Sequence, residues 1–191
     1  MPKGALLFVP SRGAFVGTDE MTDAFLRGFP VNGWSVLAVQ PTLLARSASL
    51  DEYAALAEAT AARIRDAIRF LIDGGISRIV VAGDSAGATL LRQCLQNGVP
   101  REVSTFAALG RWQGEIDDLP MLELIGERDE LAVTSSRRRE KDAARRAFSQ
   151  YRLIVLGAAD ARYVGFQDEI ARRIRGWVER LSLHATVSRD P

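Results

Sequence analysis

The chain has 191 residues, 47% of them apolar and 26% charged, with a formal net charge of +1. That suits one globular domain, long enough to bury roughly 70% of its unfolded surface without staples. The near-neutral balance gives no basis for binding nucleic acid or an anionic membrane, and a single cysteine, Cys94, excludes an internal disulfide.

The opening "MPKGALLFVP" holds an apolar run, Ala5 to Val9, too short for a signal peptide or a membrane span. A soluble, cytoplasmic protein is expected. The run 4–9 reads as a first strand and 34–39, "WSVLAV", as a second. A helix is expected over 51–73, with Tyr53, Leu56, Ile64, Ile68 and Leu71 near one face, ended by Gly74 and Gly75. A strand at 78–83, "RIVVAG", leads into a helix over 86–97, where Cys94 is read as a small buried apolar residue. Strands follow at 103–109 and 121–126.

A helix is expected over 134–149, capped by Thr134 or Ser135. Its Arg137, Arg138, Arg139, Lys141, Arg145 and Arg146 suit either an acidic partner or a solvated face, and the interleaved Glu140 and Asp142 favour the solvated face. The last strand is 151–156, and the last helix, 166–183, lines up Phe166, Ile170, Ile174, Trp177 and Leu181. Residues 184–191 lack periodicity and read as a tail behind a single domain, 1–183. The strands are continuous apolar runs, as in a sheet covered on both faces. Strands alternating with helices predict a doubly wound, mostly parallel six-stranded α/β sheet. Strand 4–9 should lie between 34–39 and 78–83, so that winding reverses there and a ligand site opens beyond the strands' carboxyl ends.

The motif with chemical content is Gly83-Asp84-Ser85-Ala86-Gly87, a G-x-S-x-G between a buried strand and a helix. A turn this tight strains the serine backbone and lifts its hydroxyl clear of the sheet. Side chains two residues to either side would collide with strand or helix, which calls for Gly83 and Gly87. The free N–H groups opening the helix then lie beside Ser85, where they can stabilise an oxyanion. The competing interpretation is a glycine-rich turn that caps a helix or binds an anion.

With this motif the chain resembles the α/β-hydrolase superfamily, over nearly its whole length. It is similar to a minimal member without the first antiparallel hairpin or a cap insertion. The resemblance implies a serine esterase acting on a small ester, without cofactor or metal, with Ser85 as nucleophile. It places the acid at Asp129, in Gly126-Glu127-Arg128-Asp129-Glu130-Leu131, although an exposed acidic turn fits those residues as well. It implies an oxyanion hole of the Ala86 N–H with that of Ser11 or Arg12. The entry loop departs from the family's His-Gly, however, with Pro10 and Ser11 in those places.

The resemblance also calls for a histidine after the last strand, and Gly157-Ala158-Ala159-Asp160 has Asp160 there. An ordinary aspartate titrates near about 3.9, low for a general base at neutral pH, and lacks imidazole's second nitrogen for Asp129 to orient. If Asp129 and Asp160 face each other their charges repel, unless they share a proton or a cation; Asp84 is a third candidate for such a cation site. The only histidine, His184, follows a helix roughly 25 Å long that runs away from the site. Three readings therefore stay open: a weak or atypical serine hydrolase using Ser85, Asp129 and Asp160, a non-catalytic hydrolase-fold protein binding a small ligand or a partner, or a cation site built from Asp129 and Asp160. Trp34 and Trp112 are read as packing residues or as the lining of an open, shallow site.

Overall fold

A computed structural model describes residues 2–11, 13–42, 50–96, 98–115, 119–146 and 150–187; of 50–56 and 182–187 it describes the backbone alone. Six strands form one sheet: β1 (Ala5–Val9), β2 (Ser35–Ala38), β3 (Ile79–Asp84), β4 (Val103–Leu109), β5 (Met121–Gly126) and β6 (Tyr151–Leu156). Their order is β2-β1-β3-β4-β5-β6 and every pairing is parallel. The expected position of β1, between β2 and β3, is the observed one.

Helices cover both faces. On one side lie α2 (Leu50–Asp73), α3 (Ala86–Leu95) and α4 (Glu130–Arg145). There Leu7, Val9 and Val81 pack with Ile64, Ile68, Leu91 and Ala143. On the other side lie α1 (Glu20–Gly28) and α5 (Gln167–Val187), where Leu6, Phe8 and Val80 meet Phe25, Ile170, Ile174 and Trp177. Adjacent strand residues point to opposite faces, so β1 is apolar at every position because both of its faces are covered. Each fully buried leucine, isoleucine or phenylalanine contributes about 1.5–3 kcal/mol, which makes β1 the anchor of both cores.

Three helices differ from the sequence expectation, one in its existence and two in a boundary. The reading placed no helix over 20–28, yet α1 forms there, capped by Asp19, whose carboxylate accepts from the Thr22 N–H at 2.8 Å. Helix α4 starts at Glu130 rather than 134, and its cap is Asp129, not Thr134 or Ser135. Helix α5 continues to Val187 through part of the expected tail, since no glycine or proline interrupts the chain between Gly176 and Pro191.

Both tryptophans in question are packing residues. Trp34 stacks edge-on against Phe29, and Trp112 lies beneath the guanidinium of Arg139. Arg139 is thus withdrawn from the basic face of α4. It pairs with Glu123, which is fully buried and also accepts from Trp112 Nε1, Ser136 Oγ and the Tyr151 hydroxyl. Cys94 is buried, its thiol directed at the Ala61 carbonyl.

Candidate active site

The carboxyl ends of β1, β3 and β4 meet in register, with Val9 beside Gly83 and Asp84 beside Leu109. Winding reverses around β1, so the crevice where an open α/β sheet takes its ligand lies here. Ser85 occupies it, between β3 and α3, with φ 49° and ψ −106°. Positive φ in a side-chain-bearing residue costs on the order of 1–3 kcal/mol and persists only where surroundings enforce it. Here they do. Ser85 donates its N–H to the Leu109 carbonyl at 2.8 Å, and its own carbonyl accepts from Thr89 N at 3.1 Å.

The flanking glycines are required by contact. A Cβ on Gly83 would stand 2.4 Å from Ala88 N, and one on Gly87 2.2 Å from the Val9 carbonyl oxygen and 2.6 Å from that of Pro10. The start of α3 therefore rests directly on the end of β1. Ala86 is the first residue of α3, so its N–H has no acceptor within the helix and opens beside Ser85. Ser11 lies half-buried in the loop after β1, its carbonyl accepting from Ala14 N; Arg12 lies outside the described residues.

The Ser85 hydroxyl donates to Oδ1 of Asp84 at 2.8 Å. Asp84 ends β3, and its carboxyl is pushed up to about 7, chiefly by burial, with the charge of Asp19 adding and the Ser85 hydrogen bond opposing. Gly110 closes over this pair with φ +64°. A Cβ there would lie 2.8 Å from Ser85 Oγ, 3.4 Å from Asp84 Oδ1 and 3.5 Å from the Tyr163 hydroxyl. Tyr163, 1% exposed and at φ 57°, reaches in from the loop after β6 and donates to the Leu124 carbonyl at 3.0 Å. Burial, then the charge of Asp84, pushes its phenol well above the usual range, so it stays a neutral donor.

The loops expected to carry acid and base are joined to each other. Glu127 N bonds the Leu156 carbonyl, Arg128 N the Ala159 carbonyl, and the Glu127 carboxylate accepts from Ala158 N. Gly126 is needed because a Cβ there would stand 2.6 Å from the carbonyl oxygens of Ala159 and Asp160. Their carboxylates, however, are engaged locally. Asp129 caps α4 by accepting from Ala132 N at 3.0 Å. Asp160 is exposed, and its Oδ1 accepts from Arg162 N at 2.9 Å and Tyr163 N at 3.1 Å. Among the described residues neither is hydrogen-bonded to Ser85, and no three acidic, cysteine or histidine side chains gather to hold a metal ion.

The His184 backbone sits near the far end of α5. Already at Val178 and Glu179 that helix meets Arg78 and Lys3, which precede β3 and β1 at the amino ends of the strands, the opposite end of the sheet from Ser85. Sequence reasoning did not single out Gly110, Tyr163 or Asp19. Only Asp19 left a local signal, a capping aspartate before Met21, Ala24 and Phe25.

Sheet order and helix placement are those of the α/β-hydrolase fold, and solved structures bear this out. A predicted CIB-like hydrolase from Thermoplasma acidophilum superposes with a TM-score of 0.68 at 20% identity, covering 93% of this chain and 87% of its own. An esterase from Pyrococcus furiosus gives 0.72 at 15% identity, covering 94% and 82%. An α/β serine hydrolase without a lid from Xanthomonas campestris gives 0.68 at 13% identity, covering 95% and 84%. No protein-family model and no curated protein matches the sequence. Among the described residues, no helix is long and apolar enough to cross a membrane.

Proposed function

We propose that the protein is a serine hydrolase that cleaves a small ester through an acyl-enzyme on Ser85. The observation that carries this reading is the strained Ser85 backbone, which sets its hydroxyl at the switch point beside the open N–H of Ala86. A fold spends this strain where a group must be presented in one orientation. The acyl carbonyl oxygen would take the Ala86 N–H, joined by a donor from the loop of Ser11 and Arg12. Asp129 and Gly126 then shape the neighbouring loops through their capping and close-approach contacts. The structural neighbours that are esterases or serine hydrolases favour the same chemistry.

The second reading, a hydrolase-fold protein that only binds a ligand or partner, is favoured by one observation: Asp160 holds its carboxylate on its own loop instead of presenting an imidazole-like base to Ser85. Fluorophosphonate treatment separates the two. Modification of the wild type that vanishes in Ser85→Ala, together with ester turnover lost in the same variant, supports the hydrolase. No modification anywhere between about pH 5 and 9 supports the binding protein.

A further inference from the structure

We propose that Asp84 is the general base for Ser85, so that nucleophile and base are consecutive residues of one turn. This rests on the reading of Ser85 as nucleophile. The Ser85 hydroxyl proton lies on the 2.8 Å hydrogen bond to Asp84 Oδ1, within the range over which a base can take it. Asp160, expected to serve as the base, is exposed and turns Oδ1 to Arg162 N and Tyr163 N; Asp129, expected as the acid, caps α4 through Ala132 N; and neither is hydrogen-bonded to Ser85 among the described residues.

The surroundings of Asp84 suit the role. The charge of Asp19, the cap of α1, acts on it, and the Tyr163 phenol of the loop after β6 lies within reach of its charge. Ser85 bonds it directly, and among the described residues no arginine or lysine is ion-paired with it. A carboxylate largely withdrawn from water, within reach of a second acid's charge and with no ion-paired cation among the described residues, binds its proton far more tightly than an ordinary aspartate, here with a pKa of about 7. That is the range in which a general base is most effective at neutral pH. Gly110 leaves Oγ the room to point at Asp84, since a Cβ there would stand 2.8 Å from it.

The chemistry balances without a co-reactant. Ser85 Oγ forms a bond to the ester carbonyl carbon while its proton passes to Asp84 and the carbonyl electron pair moves onto oxygen, facing Ala86 N–H. Collapse restores the carbonyl and breaks the bond to the alcohol oxygen, which takes the proton from Asp84 and departs. Water then gives a proton to Asp84 as its oxygen attacks the acyl carbon. The second collapse expels Ser85 Oγ, which recovers the proton, and the acid leaves.

The test is the rate of fluorophosphonate modification of Ser85 in the full chain, followed by intact mass. In the wild type the rate is expected to rise through one ionisation near 7 and then level off. Asp84→Asn, nearly isosteric and still able to accept from Oγ, is expected to lower the plateau by about 100-fold or more, the usual contribution of a general base. A wild-type rate in Asp84→Asn, or a loss carried by Asp160→Asn instead, overturns the inference while leaving Ser85 as nucleophile. If Asp84→Asn does not fold, the wild-type profile decides: a rate flat over about pH 5 to 9, or one climbing without a plateau, overturns it. No modification of the wild type at any pH sinks the hydrolase reading itself, and this inference with it.

Discussion

Ser85 Oγ donates a 2.8 Å hydrogen bond to Oδ1 of Asp84, the residue directly before it. Neighbours on a strand point to opposite faces, so such a contact is impossible while β3 continues. It forms because Ser85 leaves the strand at φ 49°, which breaks the alternation and brings both side chains to one side.

Asp84 should make stability depend on pH. Its folded pKa, about 7, lies above the roughly 3.9 of an unfolded aspartate. Between these values the native chain holds a proton that the unfolded chain has released. This contribution is therefore complete below about pH 4 and is lost as pH rises through about 7. Asp84→Asn removes the dependence. The variant should gain on the parent with rising pH, by on the order of 2–4 kcal/mol at about pH 8 relative to pH 4. Urea unfolding of both proteins across that range measures it; parallel curves would refute it.

Gly110 should tolerate no side chain. At φ +64° an alanine is strained, and its Cβ would stand 2.8 Å from Ser85 Oγ. Gly110→Ala is expected to cost about 1–3 kcal/mol in stability. It should also slow fluorophosphonate modification of Ser85 by at least about tenfold, because the hydroxyl must turn away from Asp84. Thermal unfolding and the modification rate, taken on the same preparation, separate the two effects.

Asp129 should behave as a helix cap. Asp129→Ala removes the bond to Ala132 N and is expected to cost about 1 kcal/mol, whereas Asp129→Asn, also a good cap, should cost much less. Equilibrium denaturation of the two variants provides the comparison. Equal losses would mean that the charge, and not the capping oxygen, is what matters.

The strands were legible in the sequence because burial on both faces writes them as unbroken apolar runs, and β4, β5 and β6 fall where those runs do. The elbow was legible because Gly83 and Gly87 have a local steric cause. The start of α4 is hard to place from sequence because Asp129 fits a helix cap as well as a catalytic acid, and Thr134 and Ser135 offer a second capping position one turn on. Gly110 and Tyr163 left no local pattern. They come from different strand ends and meet Asp84 only through the lateral order of β3, β4, β5 and β6. Arg139 looked like one more charge on a basic helix, and only the depth of Glu123 in β5 shows why it turns inward.

That inward pair gives the last prediction. Glu123 is 0% exposed and Arg139 8%, and the guanidinium donates to both carboxylate oxygens, at 2.7 and 3.1 Å. Removing one partner strands the other's charge in the core beside Trp112, at an expected cost of about 3–5 kcal/mol. Arg139→Met should therefore destabilise strongly. Glu123→Leu should do so as well, since it also deprives Trp112 Nε1 and Ser136 Oγ of their acceptor. The double variant should lose markedly less than the sum of the two, because no unpaired charge remains. Urea denaturation of the four proteins in this cycle provides the measurement. Additive losses would show that the two side chains act independently, against the geometry that joins them.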